Sequence, residues 1–142
     1  MFIFYFWIVY LLFLNLLSIV ASKGQTHMVK FILELGIVDI NAKSTKEQNT
    51  ALMFAAGNRK LDSVVILLNS PYIKVNEQNK HKETALHFAV NANSLPIVAA
   101  LVERGIDVSI RNSKKKTAID IARELNLQKI FDYLTHTVIQ KE

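Results

Sequence analysis

The chain has 142 residues, 17 Lys and Arg against 12 Asp and Glu, no Cys, four Gly and 51% apolar residues. That length suits one domain. The missing thiols exclude a disulfide framework and thiol catalysis, the apolar share excludes a disordered tail, and a net charge of +5 spread over the chain is weak evidence for nucleic acid.

These averages hide a split. Residues 1–22 hold 19 apolar residues and no charge, and seven of the chain's 13 aromatic residues fall in the first 13. Phe2 to Val20 is broken only by Asn15 and Ser18. At about 1.5 Å per residue it is long enough to cross about 30 Å of hydrocarbon. No Lys or Arg precedes the run, so it lacks the basic start of a cleaved signal, although Val20-Ala21-Ser22 is a tolerable cleavage site. Lys23 and Lys30 follow it, and the positive-inside rule would then keep the rest of the chain cytoplasmic.

Beyond the run the chain repeats itself. Thr50-Ala51-Leu52-Met53-Phe54-Ala55-Ala56, Thr84-Ala85-Leu86-His87-Phe88-Ala89-Val90 and Thr117-Ala118-Ile119-Asp120-Ile121-Ala122-Arg123 align, their threonines 34 and 33 residues apart. A second apolar stretch follows each, beginning at Val64, Ile97 and Ile130. Every unit therefore predicts two short helices. A Thr just before an apolar-periodic run is a helix N-cap, its hydroxyl meeting a backbone donor that the helix leaves free. Ala55, Ala56, Ala89 and Ala122 let a neighbouring helix approach closely, while Leu52, Leu86 and Ile119 fill the space between layers. The polar stretches 75–83 and 108–116 suit protruding hairpin loops.

This pattern resembles the ankyrin repeat, a unit of roughly 33 residues with a T-P-L-H-x-A-A first helix, a second apolar helix and a G-A-D-V-N turn. Thr84 to Ala89 with Glu103-Arg104-Gly105-Ile106-Asp107-Val108 is close to a complete unit, and Val20 to Gly36 followed by Asp39-Ile40-Asn41 extends the likeness upstream. The resemblance implies an all-α, ankyrin-type helix-turn-helix repeat solenoid with protruding hairpin loops, preceded by an apolar N-terminal helix. The expected organisation is an apolar segment at 1–14, repeats at about 15–45, 46–79, 80–112 and 113–136, and a tail at 137–142. Asn15 to Ala21 then serves as the first helix of unit one, so the apolar run and the repeat claim the same residues. Three readings stay open for the run: a membrane span through residues 2–20, a cleaved signal releasing a secreted effector, or an atypical start on a piece of a longer repeat protein.

The sequence departs from the family at defined places. Its hairpin Gly is Gln48, Lys82 and Lys115, its inter-helix Gly is Arg59, Asn93 and Asn126, and its helix-start Pro is Ala. Asn tolerates left-handed backbone better than Arg does. Extra residues near Gly36-Ile37-Val38-Asp39 and Pro71-Tyr72-Ile73-Lys74 imply local distortion.

Catalytic chemistry finds no support. The glycines at 24, 36, 57 and 105 never cluster, acidic residues form no acid–base pair, and no nucleophile elbow or metal-ligand pair is present. His81 and His87 are six apart, on an expected hairpin and helix, and His87 occupies the family's T-x-x-H position, where the imidazole hydrogen-bonds loop backbone. Asp39-Ile40-Asn41, with Leu33 upstream, also resembles the sequence that asparaginyl hydroxylases modify in ankyrin repeats.

The resemblance implies a non-catalytic scaffold or adaptor that needs no cofactor or metal. It would bind a protein partner on the concave face formed by hairpin tips and first helices. The family's contact-prone positions carry over to Lys46, Glu47, Asn49 and Asn58, then Lys80, His81, Glu83 and Asn91, then Ser113, Lys114, Lys116 and Glu124. Net charge is +1 over residues 41–49, zero over 76–83 and +4 over 109–116. The last stretch is either a solvated loop or a dock for an acidic peptide or headgroup. Phe54, Phe88 and Ile121 share one first-helix slot, as partner anchors or as core. A monomer, cytoplasmic unless residues 2–20 insert into a membrane, is the expected state, with secretion and nucleic acid as lesser alternatives.

Overall fold

The computed structural model describes residues 1–140. Eight helices follow in order: α1 (Phe2–Ser22), α2 (Thr26–Glu34), α3 (Ala51–Gly57), α4 (Leu61–Leu68), α5 (Ala85–Asn91), α6 (Leu95–Glu103), α7 (Ala118–Glu124) and α8 (Gln128–Gln140). The described residues contain no strand. They stack in two layers. The odd-numbered helices pack side by side in chain order, and the even-numbered helices form a second row behind them. The result is an all-α ankyrin-type solenoid.

Small residues set the spacing of the front row. Val20, Ala55, Ala89 and Ala122 occupy equivalent places, shown by the same backbone bond from the residue five positions later: Gln25, Lys60, Ser94 and Leu127. All four are buried, together with Leu52 and Leu86. Ile119 is half-buried against the same core. Helix starts follow from the threonines. Thr50 and Thr117 accept the backbone N–H of Met53 and Asp120, and all three threonines are extended, as N-caps require.

Each helix pair turns through one residue with left-handed backbone: Gly24, Arg59, Asn93 and Asn126. Gln48, Lys82 and Lys115 take the same conformation in the hairpins, where the family carries Gly. Six of these seven positions therefore meet the backbone demand with residues other than glycine, and Gly24 alone meets it with glycine. The second unit ends differently. Where the first and third carry Gly36 and Gly105 at positive φ, Asn69-Ser70-Pro71 turns without any left-handed residue. This loop lies against the Gly36–Ile40 bend, so the two irregular stretches meet across a cleft lined by Val38, Ile40, Pro71 and Tyr72.

Two elements depart from the expected boundaries. Asn15 stands in the slot of Thr50, Thr84 and Thr117, yet α1 runs through residues 14 and 15 without a break. Leu17, Ser18, Val20 and Ala21 are buried in the stack, whereas Phe2 to Leu12 are exposed. At the other end α8 continues past residue 136, and Thr137 and Val138 are half-buried within it, so helix occupies much of the expected tail.

Ser63 is fully buried where Ile97 and Ile130 stand in later units, and its hydroxyl has no hydrogen-bond partner among the described residues. The strained turn gives the sharper test. A non-Gly residue in left-handed backbone costs about 1–2 kcal/mol, and Gly gives back about 0.5–1 in chain entropy. Arg59→Gly should therefore raise unfolding free energy by about 0.5–1 kcal/mol in urea titration, while Asn93→Gly should change it much less.

Candidate functional site: the hairpin edge and first-helix face

The hairpin tips are built on polar side chains turned inward. Asn79 is buried, and its Oδ1 accepts the backbone N–H of His81 and Glu83, each at 2.9 Å. Asn112 repeats this device, accepting from Lys114 and Lys116. The first tip uses Ser44, whose Oγ accepts the N–H of Asn49 across one additional residue. Backbone bonds then join the tips: Lys80 N–H donates to the Glu47 carbonyl at 3.0 Å, and Ser113 N–H to the His81 carbonyl at 2.9 Å.

His87 fastens this edge to the helices. The Thr84 backbone N–H donates to Nδ1 at 3.1 Å, so the neutral ring carries its proton on Nε2, which faces the Lys116 carbonyl at 3.2 Å. The ring thus bonds loop backbone, as its position in the unit implies. Asp120, in the same slot, accepts from the Thr117 N–H and hydroxyl. Those bonds, the backbone one foremost, hold its carboxyl below the usual range. Asn41 also serves the stack. Its Nδ2 donates to the Tyr72 carbonyl and its Oδ1 accepts the Lys74 N–H, both at 2.8 Å, joining units one and two.

The contact-prone positions separate into two sets. Lys46, Lys80, His81, Ser113 and Lys114 are exposed along the tips, while Asn58, Asn91 and Glu124 are exposed at the ends of first helices. Asn58 also donates to the Phe54 carbonyl. Asn49, Glu83 and Lys116 instead close their hairpins. The carbonyl of each accepts the N–H of Ser44, Asn79 or Asn112. Asn49 is buried, its Oδ1 bonded to Asn79 Nδ2 at 2.8 Å, and is a structural residue of the tip. Glu83 and Lys116 are half-buried.

Three carboxylates on this edge are engaged. Glu47 pairs with His81 at 2.9 Å, Glu77 with Lys43 at 2.8 Å and Glu124 with Lys116 at 2.6 Å. Arg111 donates to the Lys115 carbonyl. Lys46, Lys80, Lys82, Lys114 and Lys115 take no part in these pairs and are exposed, giving the edge a positive outer surface. A cleft of about 300 Å³ opens between the last two tips, lined by His81, Glu83, Asn112, Ser113 and Lys114.

Beside the tips runs an apolar row. Phe54 and Phe88 are half-buried and Ile121 is buried, and Phe88 lies so close over Gly57 that an added Cβ would stand 3.0 Å from its ring. Ile19 fills the same slot in unit one and is 48% exposed. The sequence aligns Asn15 to Ala21 as the first helix of unit one, but the shared slot was read only for Phe54, Phe88 and Ile121. The signal was Gly24, which shares the left-handed turn slot of Arg59. A groove of about 290 Å³ lined by Asn15, Ser18, Ile19, Ser22, Ser44 and Phe54 marks this end of the face. Among the described residues no group of acidic, His or Cys side chains is arranged to hold a metal ion.

Stacked helix pairs, a hairpin edge and an open face define a helical repeat solenoid. The chain belongs to the ankyrin-repeat family: one ankyrin-repeat model of three copies matches residues 12–79, and another of many copies matches 72–122. It is similar to alpha-latrotoxin-Lg1a of Latrodectus geometricus, 39% identical over 114 residues that make up 80% of this chain and 8% of the toxin. Alpha-latrotoxin-Lh1a of Latrodectus hasselti is 50% identical over 66 residues, 46% of this chain and 5% of the toxin. The B-cell lymphoma 3 protein homolog of Mus musculus is 33% identical over 110 residues, 78% of this chain and 24% of that protein. This chain therefore spans less than a quarter of each. Ankyrin repeats are in general non-catalytic protein-interaction modules.

Burial, the largest influence on His87, holds its pKa below the ordinary 6.5, against the smaller opposing effects of the Lys116 carbonyl and Glu83. Below pH 6.5 the unfolded chain takes up this proton more readily than the folded one, so stability falls as pH drops through that range. The urea midpoint should be lower at pH 5 than at pH 7.5. In His87→Gln this component of the pH dependence should be lost, and an unchanged pH profile would remove His87 from the account.

Proposed function

We propose that the chain is a scaffold or adaptor module holding a protein partner against its hairpin tips and first-helix face. One observation carries this reading: the tips are cross-bonded into a continuous edge whose outer surface is lysine-rich, beside the apolar row of Ile19, Phe54 and Phe88. Such a face suits a segment with acidic residues toward the tips and apolar residues toward the helices, since charge complementarity sets register and apolar contact supplies most of the affinity. The partner-facing residues are Lys46, Lys80, His81, Ser113 and Lys114, with Asn58, Asn91 and Glu124 at the helix ends. The edge pairs Glu47–His81 and Lys116–Glu124 orient their own side chains and leave the lysines free of them.

Peptides selected from a displayed random library against the full chain supply the test. The triple variant Lys46→Glu, Lys80→Glu, Lys114→Glu should weaken their binding about tenfold, equivalent to about 1.4 kcal/mol, with an unchanged thermal midpoint. Equal affinity in the variant would refute the surface assignment.

A second reading rests on α1, the one described helix long and apolar enough to cross a membrane by length and composition. In it the helix anchors the module to a bilayer. After alkaline extraction of membranes from cells making the full chain, the protein should remain in the pellet; release into the supernatant would remove the anchor.

A further inference from the structure

The hairpin tips are evenly stepped, and their backbone bonds give the size of the step. Within each tip the two arms are joined, by Ser44 N–H to the Asn49 carbonyl, Asn79 N–H to Glu83 and Asn112 N–H to Lys116. Between tips, Lys80 N–H reaches the Glu47 carbonyl and Ser113 N–H that of His81. Each unit therefore adds two bonded chain passes to the edge. Passes joined in this way lie about 4.8 Å apart, so the edge advances by roughly 9.5 Å per unit. The first helices give the same answer independently, since helices packed side by side are spaced about 8–10 Å.

Every step brings at least one exposed lysine: Lys46 on the first tip, Lys80 and Lys82 on the second, Lys114 and Lys115 on the third. Lys46 and Lys80 stand at equivalent places, each four residues before its capping Thr. Lys82 and Lys115 share the left-handed hairpin slot. Glu47, Glu77 and Glu124 already have cationic partners. Behind the tips, Phe54 and Phe88 repeat one half-buried slot, each four residues after its Thr. A cationic row and an apolar row thus run along the stack with one common step.

A segment that meets both rows in every unit must repeat at that step. In a β-strand the same side returns every second residue, about 6.6 Å, and by the third tip it falls about 6 Å short. An α-helix returns to one face near every seventh residue, about 10.5 Å, so it overruns each unit by about 1 Å and offers each tip one residue in seven. A polyproline II helix returns every third residue, about 9.3 Å, which matches the step. Its side chains also form three columns about 120° apart, so one can face the tips, one the helices and one the solvent.

Resting on the adaptor reading, we infer that the partner segment binds as a polyproline II helix laid along the stack, with an acidic residue at every third position against Lys46, Lys80 and Lys114 and a second, apolar column against Phe54 and Phe88. The third column faces solvent. Proline there costs no contact and pre-sets the bound conformation, which lowers the entropy lost on binding.

Fluorescence anisotropy of two labelled peptides titrated with the full chain supplies the test. One is Asp-Pro-Leu repeated four times. Its isomer alternates Asp-Pro-Leu with Leu-Pro-Asp, which keeps composition, charge and proline spacing but mixes the acidic and apolar columns. The first peptide should bind about tenfold tighter than the isomer, and should lose about tenfold or more in the variant Lys46→Glu, Lys80→Glu, Lys114→Glu. Equal affinity for the two peptides, with both weakened in the lysine variant, would overturn the three-residue register and leave an acidic partner on this face standing. Binding of the first peptide that the lysine variant does not diminish, or no binding of it at all, would also overturn the register. In those cases the library-selected peptides decide the adaptor reading separately.

Discussion

Close approach of the first helices is the constraint on which the rest of the molecule depends. Val20, Ala55, Ala89 and Ala122 are buried at the points where the front row packs. A larger side chain there forces backbone shifts, and overpacking a filled core costs about 1–3 kcal/mol. The consequences reach the edge. Adjacent tips come near enough for Lys80 N–H to reach the Glu47 carbonyl and for Ser113 N–H to reach that of His81. The side chain of Asn79 can then bridge to Asn49. Core packing thus fixes the geometry of the surface that a partner would meet.

Much of this was legible in the sequence because the unit is short and local. The Thr spacing located the helix starts, and the departures from the family's glycines located the left-handed residues Arg59 and Asn93 together with Gln48, Lys82 and Lys115. What stayed hidden depends on neighbours. Asn49, Glu83 and Lys116 look like surface residues in a polar stretch, yet their carbonyls close the hairpins. Arg104 lies in an exposed turn, but its Nε donates to the Leu68 carbonyl of the preceding unit. The continuation of α8 to Gln140 was missed because the repeat pattern marks only the apolar stretch at Ile130 to Leu134, whereas the half-buried Thr137 and Val138 lie beyond it.

Electrostatics on the edge are decided by which charges are already engaged. The sequence places +4 in the last hairpin, but two of those cations have local work. Lys116 pairs with Glu124, while Arg111 donates to the Lys115 carbonyl. Exposed ion pairs contribute about 0–1 kcal/mol, so these contacts orient side chains more than they stabilise the stack. Their larger effect is to pair the carboxylates of Glu47, Glu77 and Glu124 with cationic partners on the same edge. Lys46, Lys80, Lys82, Lys114 and Lys115 remain exposed across all three tips, so the positive surface is broader than the last hairpin alone.

Unit one differs from the others at the slot where a hairpin should turn into a helix. Thr50, Thr84 and Thr117 begin their helices after polar loops, whereas Asn15 continues one that began at Phe2. Ile19 and Ser44, the latter from the first hairpin tip, flank an open groove at this end of the row. The neighbouring face is also uncovered: Met28 is 42% exposed, although Ser63, Ile97 and Ile130 in its slot are buried. The same helix that leaves this end of the stack open supplies its apolar extension. Leu17, Val20 and Ala21 gain about 25 cal/mol for each Å² of apolar surface they bury, and that gain holds their half of α1 in the repeat while the other half faces outward.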